Sequence, residues 1–180
     1  MGRNVFNKEC GNFCFESYMK SIENGRVNLG DQLPVAVYRM FEYSMKDELI
    51  KEFGKEKTVD IMRKAGFTSG TFFANNMLDL TLDFGGFVSQ LTQKLEEYKI
   101  GVLRIENVND EKSHITLTVA EDADCSGLPV LGETVCNYDE GFISAIMTAY
   151  THTDYSAVEV DCWATGDRVC RFDVRRLGGE

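Results

Sequence analysis

Cys162 and Cys170 flank the tetrapeptide Ala164-Thr165-Gly166-Asp167 in the run VEVDCWATGDRVCRFDV. Apolar alternation on both sides and a Gly-Asp centre predict a β-hairpin. A turn centred near Gly166 sets Cys162 opposite Cys170, Val160 opposite Phe172 and Val158 opposite Val174. Directly opposed side chains have Cβ atoms about 4.5–5.5 Å apart, which suits two thiolates on one ion. Cys136 lies just before a predicted helix, where the free N–H groups favour a thiolate. Strict alternation turns Glu159 to the other face from Cys162, and only a bulge would swing it inward. Cys125, eleven residues before Cys136, is the thiol alternative for a fourth ligand. A metal site competes with buried apolar cysteines and with a redox disulfide.

The rest of the chain supplies the frame. Phe6, Cys10, Phe13, Cys14 and Tyr18 fall at helical spacing over Phe6–Met19. A second helix opens at Asp31, with Pro34 in its first turn, and Gly54 closes it. Its apolar stripe runs Val37, Met40, Phe41, Met45 and Leu49. Lys55 to about Leu80 reads as a long helix in which Gly66 and Gly70 share one face. Such a pair indicates close approach of another backbone, with a ligand contact as the alternative. Phe84–Tyr98 is a further helix. Ile100–Val108 and His114–Ala120 alternate as strands, Tyr138–Tyr150 is helical, and Ala157–Trp163 and Arg168–Arg175 complete the sheet. The expected class is α+β, with N-terminal helices packed on an antiparallel sheet that ends in a metal-binding hairpin. A single domain over 1–180 is expected, helical to about 98 and sheet-bearing from about 100 to 176.

Charge removes one class of function. Twenty-nine acidic against 19 basic residues give a net charge of −10. No basic patch exists for a phosphate backbone, so no nucleic-acid partner is expected. No apolar run is long enough for a membrane span, and MGRNVFNKEC has no signal-peptide core. A cytoplasmic protein with reduced cysteines is therefore expected. Loops of the GxGxxG, GxxxxGK[ST] and GxSxG types are absent. His114 and His152 are expected at a solvated strand edge and a helix end. An enzymatic role has little support.

CSGLP, ETVCNYDEGF and VEVDCWATGDRVCRFDV together resemble the 4-vinyl reductase domain family. Similar domains form the sensory module of phenol-responsive sigma-54-dependent activators, and TRAPP-type subunits are more distant relatives. The resemblance implies a zinc ion held by Cys136, Glu159, Cys162 and Cys170, so it selects Glu159 over Cys125. It also implies an enclosed apolar pocket for a small hydrophobic or aromatic ligand, for which Phe84, Phe87, Tyr138, Phe142 and Trp163 are the candidate lining. The histidine and tryptophan that hold a phenol hydroxyl in those sensors have no counterparts at matching places. A homodimer and a downstream protein partner are expected. Two alternatives stand beside the sensor. One is a reductase or tetrapyrrole-related accessory protein with thiolate-bound iron or an iron–sulfur cluster. The other is a TRAPP-like interaction subunit. Cys10 and Cys14 read as one packed helix face, or as a second thiol site between subunits.

Overall fold

Two short helices, α1 (Phe15–Tyr18) and α2 (Ile22–Gly25), open the computed structural model, which describes residues 14–20 and 22–178. The chain divides into two units, residues 1–38 and 39–180, and the sheet and every cysteine after Cys14 belong to the second. Most of the first helix expected from sequence, including Cys10, lies outside the described residues. Pro34 ends the connection that follows α2, and its carbonyl accepts the N–H of Val37 at 2.9 Å. The long helix α3 (Val35–Phe53) starts there, as its first-turn proline predicts.

The inward face of α3 departs from its apolar stripe. Met40, Phe41 and Met45 are exposed, whereas Glu42 is buried. The reason is the irregular segment 121–136, whose carbonyls need donors. Arg39 donates to the carbonyls of Ala123 and Ser126, Tyr43 to that of Asp124, and Lys46 to that of Val135. Polar groups of α3 thus shape the loop that carries Cys125.

Gly54 ends α3 at a φ of 78° and α4 (Lys55–Met77) begins at once. α4 lies along α6 (Asn137–Thr151), and glycines set the distance. A Cβ on Gly66 would stand 1.9 Å from the Tyr138 carbonyl oxygen, and one on Gly141 would stand 1.9 Å from that of Arg63. The glycine pair of α4 is therefore a helix-packing contact. α5 (Phe84–Glu97) is capped by Asp83, which accepts the N–H of Gly86. It buries Phe87, Leu91 and Leu95 at four-residue spacing.

β1 (Val102–Val108), β2 (His114–Ala120), β3 (Tyr155–Asp161) and β4 (Cys170–Arg176) form one antiparallel sheet in the order β1-β2-β4-β3. α5 packs on β1 and α6 on β3, so the core fills the space between these helices and the sheet. α6 is buried along Asn137 and Asp139–Met147 because α4 covers its outer side. The α+β architecture agrees with the sequence expectation.

The terminal hairpin differs in register. Glu159 pairs with Phe172 and Ala157 with Val174, and the pairing slips between Glu159 and Asp161. Trp163–Thr165 forms a 3-10 turn, closed by Gly166 at a φ of 107°. That turn takes up residues which a tight hairpin would leave in the strand, so Cys162 leaves the ladder. Val158 and Val160 consequently face outward, each 49% exposed, and Glu159 faces the core.

Candidate metal centre and adjoining cavity

Four chain segments deliver four sulfurs to one point. Asp122 starts a turn in which its Oδ1 accepts the N–H groups of Asp124 at 2.8 Å and Cys125 at 3.2 Å. Cys136 is the residue before the first turn of α6. Cys162 precedes the 3-10 turn, where the Ala164 N–H points at its Sγ at 3.4 Å. Cys170 begins β4. All four cysteines are free thiols, buried, with sulfurs within 4.8 Å of one another. The cluster can hold a metal ion.

Distances test the fit. Four thiolates about 2.3 Å from a tetrahedral ion stand about 3.8 Å apart. Cys136 Sγ lies 3.8 Å from Cys162 Sγ and 3.7 Å from Cys170 Sγ, and Cys125 Sγ lies 3.0 Å from Cys170 Sγ. Two pairs thus match the spacing of a tetrahedral set, the Cys125–Cys170 pair would have to open by about 0.8 Å to join it, and all the sulfurs lie within 4.8 Å of one another. Thiol hydrogen bonds already polarise the cluster. Those from Cys125, Cys136 and Cys170 hold the Cys162 thiol far below the usual range. Contacts led by that with Cys125 push Cys136 and Cys170 up. An ion bound to thiolates releases these protons.

Glu159 stands against the cluster. Its Oε2 accepts the Cys136 N–H at 2.9 Å, and its Oε1 is buried without a hydrogen-bond partner among the described residues. Burial pushes this carboxyl up to about 8, against the Cys136 N–H, and the negative charge of Cys162 adds to the rise. The bulge in β3 supplies the inward turn that alternation alone denies. Cys125, Cys136, Cys162 and Cys170 thus share one point, and the Glu159 carboxylate stands beside it on the Cys136 N–H.

Other acids nearby were invisible to sequence reasoning. Glu140 accepts Arg63 Nε at 2.6 Å and the Glu159 N–H at 3.0 Å, tying α4, α6 and β3 together. Asp122 and Asp139 hydrogen-bond carboxyl to carboxyl. Burial, then the charges of Asp122 and Asp124, drive Asp139 well above the usual carboxylate range. Burial likewise raises Asp122. The available signal was the pair of acids in NYDEGFISAIM, an otherwise apolar helix.

An apolar cavity of about 30 Å³ adjoins this cluster, between α5, α6 and the sheet. Phe84, Phe87 and Phe142 line it. Tyr138 and Trp163 do not. Tyr138 turns to α4, where its hydroxyl bonds Ser69. Trp163 stays on the 3-10 turn with the Arg168 guanidinium 4.9 Å from its ring centre. His114 pairs with Asp173 at 2.5 Å, and His152 is exposed at the end of α6.

Residues 115–176 match the family model of the 4-vinyl reductase domain. An uncharacterised protein of Methanocaldococcus jannaschii is 30% identical over 104 residues, 58% of this chain and 62% of that protein. A second from the same organism is 24% identical over 109 residues, 61% of this chain and again 62% of the relative. The chain thus spans less than two thirds of either curated relative. Among solved structures, the phenol-responsive sensory domain of the transcription activator PoxR with phenol aligns at a TM-score of 0.62 and 15% identity, covering 82% of this chain and 77% of that one. A vinyl-4-reductase family protein from Methanocaldococcus jannaschii aligns at 0.61 and 12% identity, covering 94% and 99%. A trafficking protein particle complex subunit 3 from Naegleria fowleri, covalently bound to palmitic acid, aligns at 0.65 and 11% identity, covering 80% and 95%. These likenesses give the fold. No helix among the described residues is long and apolar enough to cross a membrane.

Proposed function

From the 4-vinyl reductase domain that residues 115–176 match, we propose that this chain binds and senses a small hydrophobic molecule in its apolar cavity, beside a metal ion that braces the fold. The observation that carries the reading is adjacency. Asp122 and Asp139 line the cavity, and each lies three residues from a cysteine of the cluster, Cys125 and Cys136. Occupancy of the cavity therefore acts on segments that supply two of the four sulfurs. The phenol-bound sensory domain and the palmitate-bound subunit support an apolar ligand on this fold.

Zinc is the ion of choice for a buried, closed, thiolate-rich site, where it supplies a cross-link and neutralises charge. Cys136, Cys162 and Cys170 hold it. Sulfur distances favour Cys125 as the fourth donor, and Glu159 is the alternative that the family resemblance implies. The cavity is narrower than the roughly 150 Å³ that accommodates benzene in an engineered core. Ligand entry therefore widens it. The exposed Met40, Phe41 and Met45 of α3 support a homodimer, and a cytoplasmic protein partner receives the signal.

Metal analysis of anaerobically purified protein, followed by native mass spectrometry for a retained small molecule, tests both parts. One zinc per chain and an apolar adduct are expected. A coloured protein with one iron per chain would instead favour the second reading, a redox accessory protein, because four thiolates bind iron as well. A chain that retains no adduct and binds no hydrophobic compound is not a sensor of this kind.

A further inference from the structure

Of the walls around the cavity, α6 and the strands are fastened in place. On α6, Glu140, Ser144 and Thr148 stand four residues apart and accept the N–H groups of Glu159, Ala157 and Tyr155 at 3.0, 2.8 and 3.1 Å. Four helical residues rise about 6 Å and two strand residues about 6.6 Å, so the two repeats keep step. The helix thus stands where a further strand would pair with β3, and it cannot slide along that edge without breaking the whole ladder. From its other side α4 meets α6 at Gly66, Gly70 and Gly141, where main chain lies against main chain. β1 and β2 are held by the pairing of the sheet.

α5 lacks such fastening. Phe87, Leu91 and Leu95 are buried over the cavity and hold by apolar contact. Gln90 accepts the Asp79 N–H at 2.7 Å, which ties α5 only to the connection before it. Among the described residues no hydrogen bond runs from α5 to α6 or to a strand. Tyr98, just past its end, rests on α4, with its ring centre 5.9 Å from that of Phe73 and its hydroxyl on the Met77 sulfur at 3.3 Å. At the opposite end Tyr150 of α6 meets the helix. Its ring stacks on Phe87 with centres 3.8 Å apart, and its hydroxyl donates to the Leu82 carbonyl at 3.1 Å.

We propose that α5 is the lid of the cavity, hinged at its Tyr98 end and latched at its Phe84 end by Tyr150. This rests on the ligand-binding reading above and adds the route of entry. A hydrophobic molecule enters as the first turns of α5 lift from β1 and β2, while α6 and the cysteine cluster hold still. Apolar contact has no fixed direction, so Phe87, Leu91 and Leu95 can close again around a guest. A hydrogen-bond ladder such as that of α6 has no such latitude. Tyr150 touches the lid and does not line the cavity, so it sets the rate of passage more than the affinity.

The test uses the metal-loaded full chain, with amide hydrogen exchange to read opening and toluene as the probe. Amides from Phe87 to Leu95 should exchange as one group, roughly tenfold faster than those of α6 and β2. Toluene should shift the methyl resonances of Ile115, Ile143 and Ile146, which line the cavity, and slow exchange along α5. Tyr150→Phe keeps the ring stack and loses the bond to Leu82. It should raise α5 exchange about fivefold, as the loss of one hydrogen bond predicts. Toluene association and release should both quicken by a similar factor at nearly constant affinity, a split that a merely structural role would not produce. Exchange in α5 as slow as in α6, with toluene still moving the methyls, overturns the lid and leaves the ligand-binding reading standing. Unchanged rates of entry and release in Tyr150→Phe overturn the latch and the proposal with it. If toluene moves none of the methyls, the ligand-binding reading falls and the lid falls too. Exchange in the wild-type chain decides the matter even where the variant does not fold.

Discussion

Glu42 shows how one residue ties stability to pH. It is 6% exposed on α3, and burial followed by the charge of Asp124 pushes its carboxyl up to about 8, although Lys46 and Arg39 pull the other way. An unfolded glutamate titrates near 4.5, so between these values the folded chain keeps a proton that the unfolded chain has released. Stability from this group is full below about 4.5 and is lost as pH rises towards about 8. The slope is at most about 1.4 kcal/mol per pH unit, and the proton belongs to the Glu42–Asp124 pair jointly. In urea unfolding of the metal-loaded protein, the midpoint should fall over that range, and Glu42→Gln should flatten the dependence. Identical slopes in the two proteins would remove Glu42 from the account. Nothing in the sequence singles this residue out, since Met40, Phe41 and Met45 give α3 an apolar stripe that competes with it. Loop carbonyls distant in sequence decide which face turns inward.

At the level of elements, the contact between α4 and α6 is set by missing side chains. A Cβ at Gly66 would overlap main-chain oxygen rather than a flexible side chain, so neither helix can yield locally. Gly66→Ala should cost roughly 3 kcal/mol or more, at the upper end for overpacked cores. Gly85→Ala on α5 meets only Asp83 Oδ1 at 3.9 Å and should be neutral or slightly stabilising. Thermal melts of the two variants check the contrast; equal melting temperatures would mean that α4 and α6 separate freely. The glycine spacing on α4 was readable in the sequence, and so were the helix α5, all four strands and the antiparallel class. The register of β3 on β4 was not. ATGD reads as a tight turn, whereas Trp163–Thr165 coils into a 3-10 turn and β3 bulges after Glu159. Alternation counts residues along a strand and cannot register a slip, so the inward course of Glu159 stayed hidden.

For the whole molecule, the cluster couples the loop at Cys125, the start of α6 and both arms of the terminal hairpin. Cys162→Ser should abolish stoichiometric metal and lower the melting temperature by roughly 10 °C, equivalent to about 3 kcal/mol for a chain of this size. Cys125→Ser should also lose the ion, while Glu159→Gln keeps it; the reverse pattern would assign the fourth position to Glu159. Unchanged metal in Cys162→Ser would reduce the hairpin cysteines to ordinary core residues. Cysteine spacing and family resemblance together brought Cys136, Cys162 and Cys170 into view, but the shell of Glu42, Asp122, Asp139 and Glu140 appears only once separate segments pack together. The spacing of the four sulfurs along the chain also sets how much chain each pairing closes. Cys162 and Cys170 are joined by a short connection, so bringing them together closes a small loop at little entropic cost. Cys125 and Cys136, eleven residues apart, close a loop of similar size, and α6 against the sheet joins the two pairs. An ion held by the four thiols would therefore fasten both short loops to each other, and its removal should loosen the start of α6 and the terminal hairpin together.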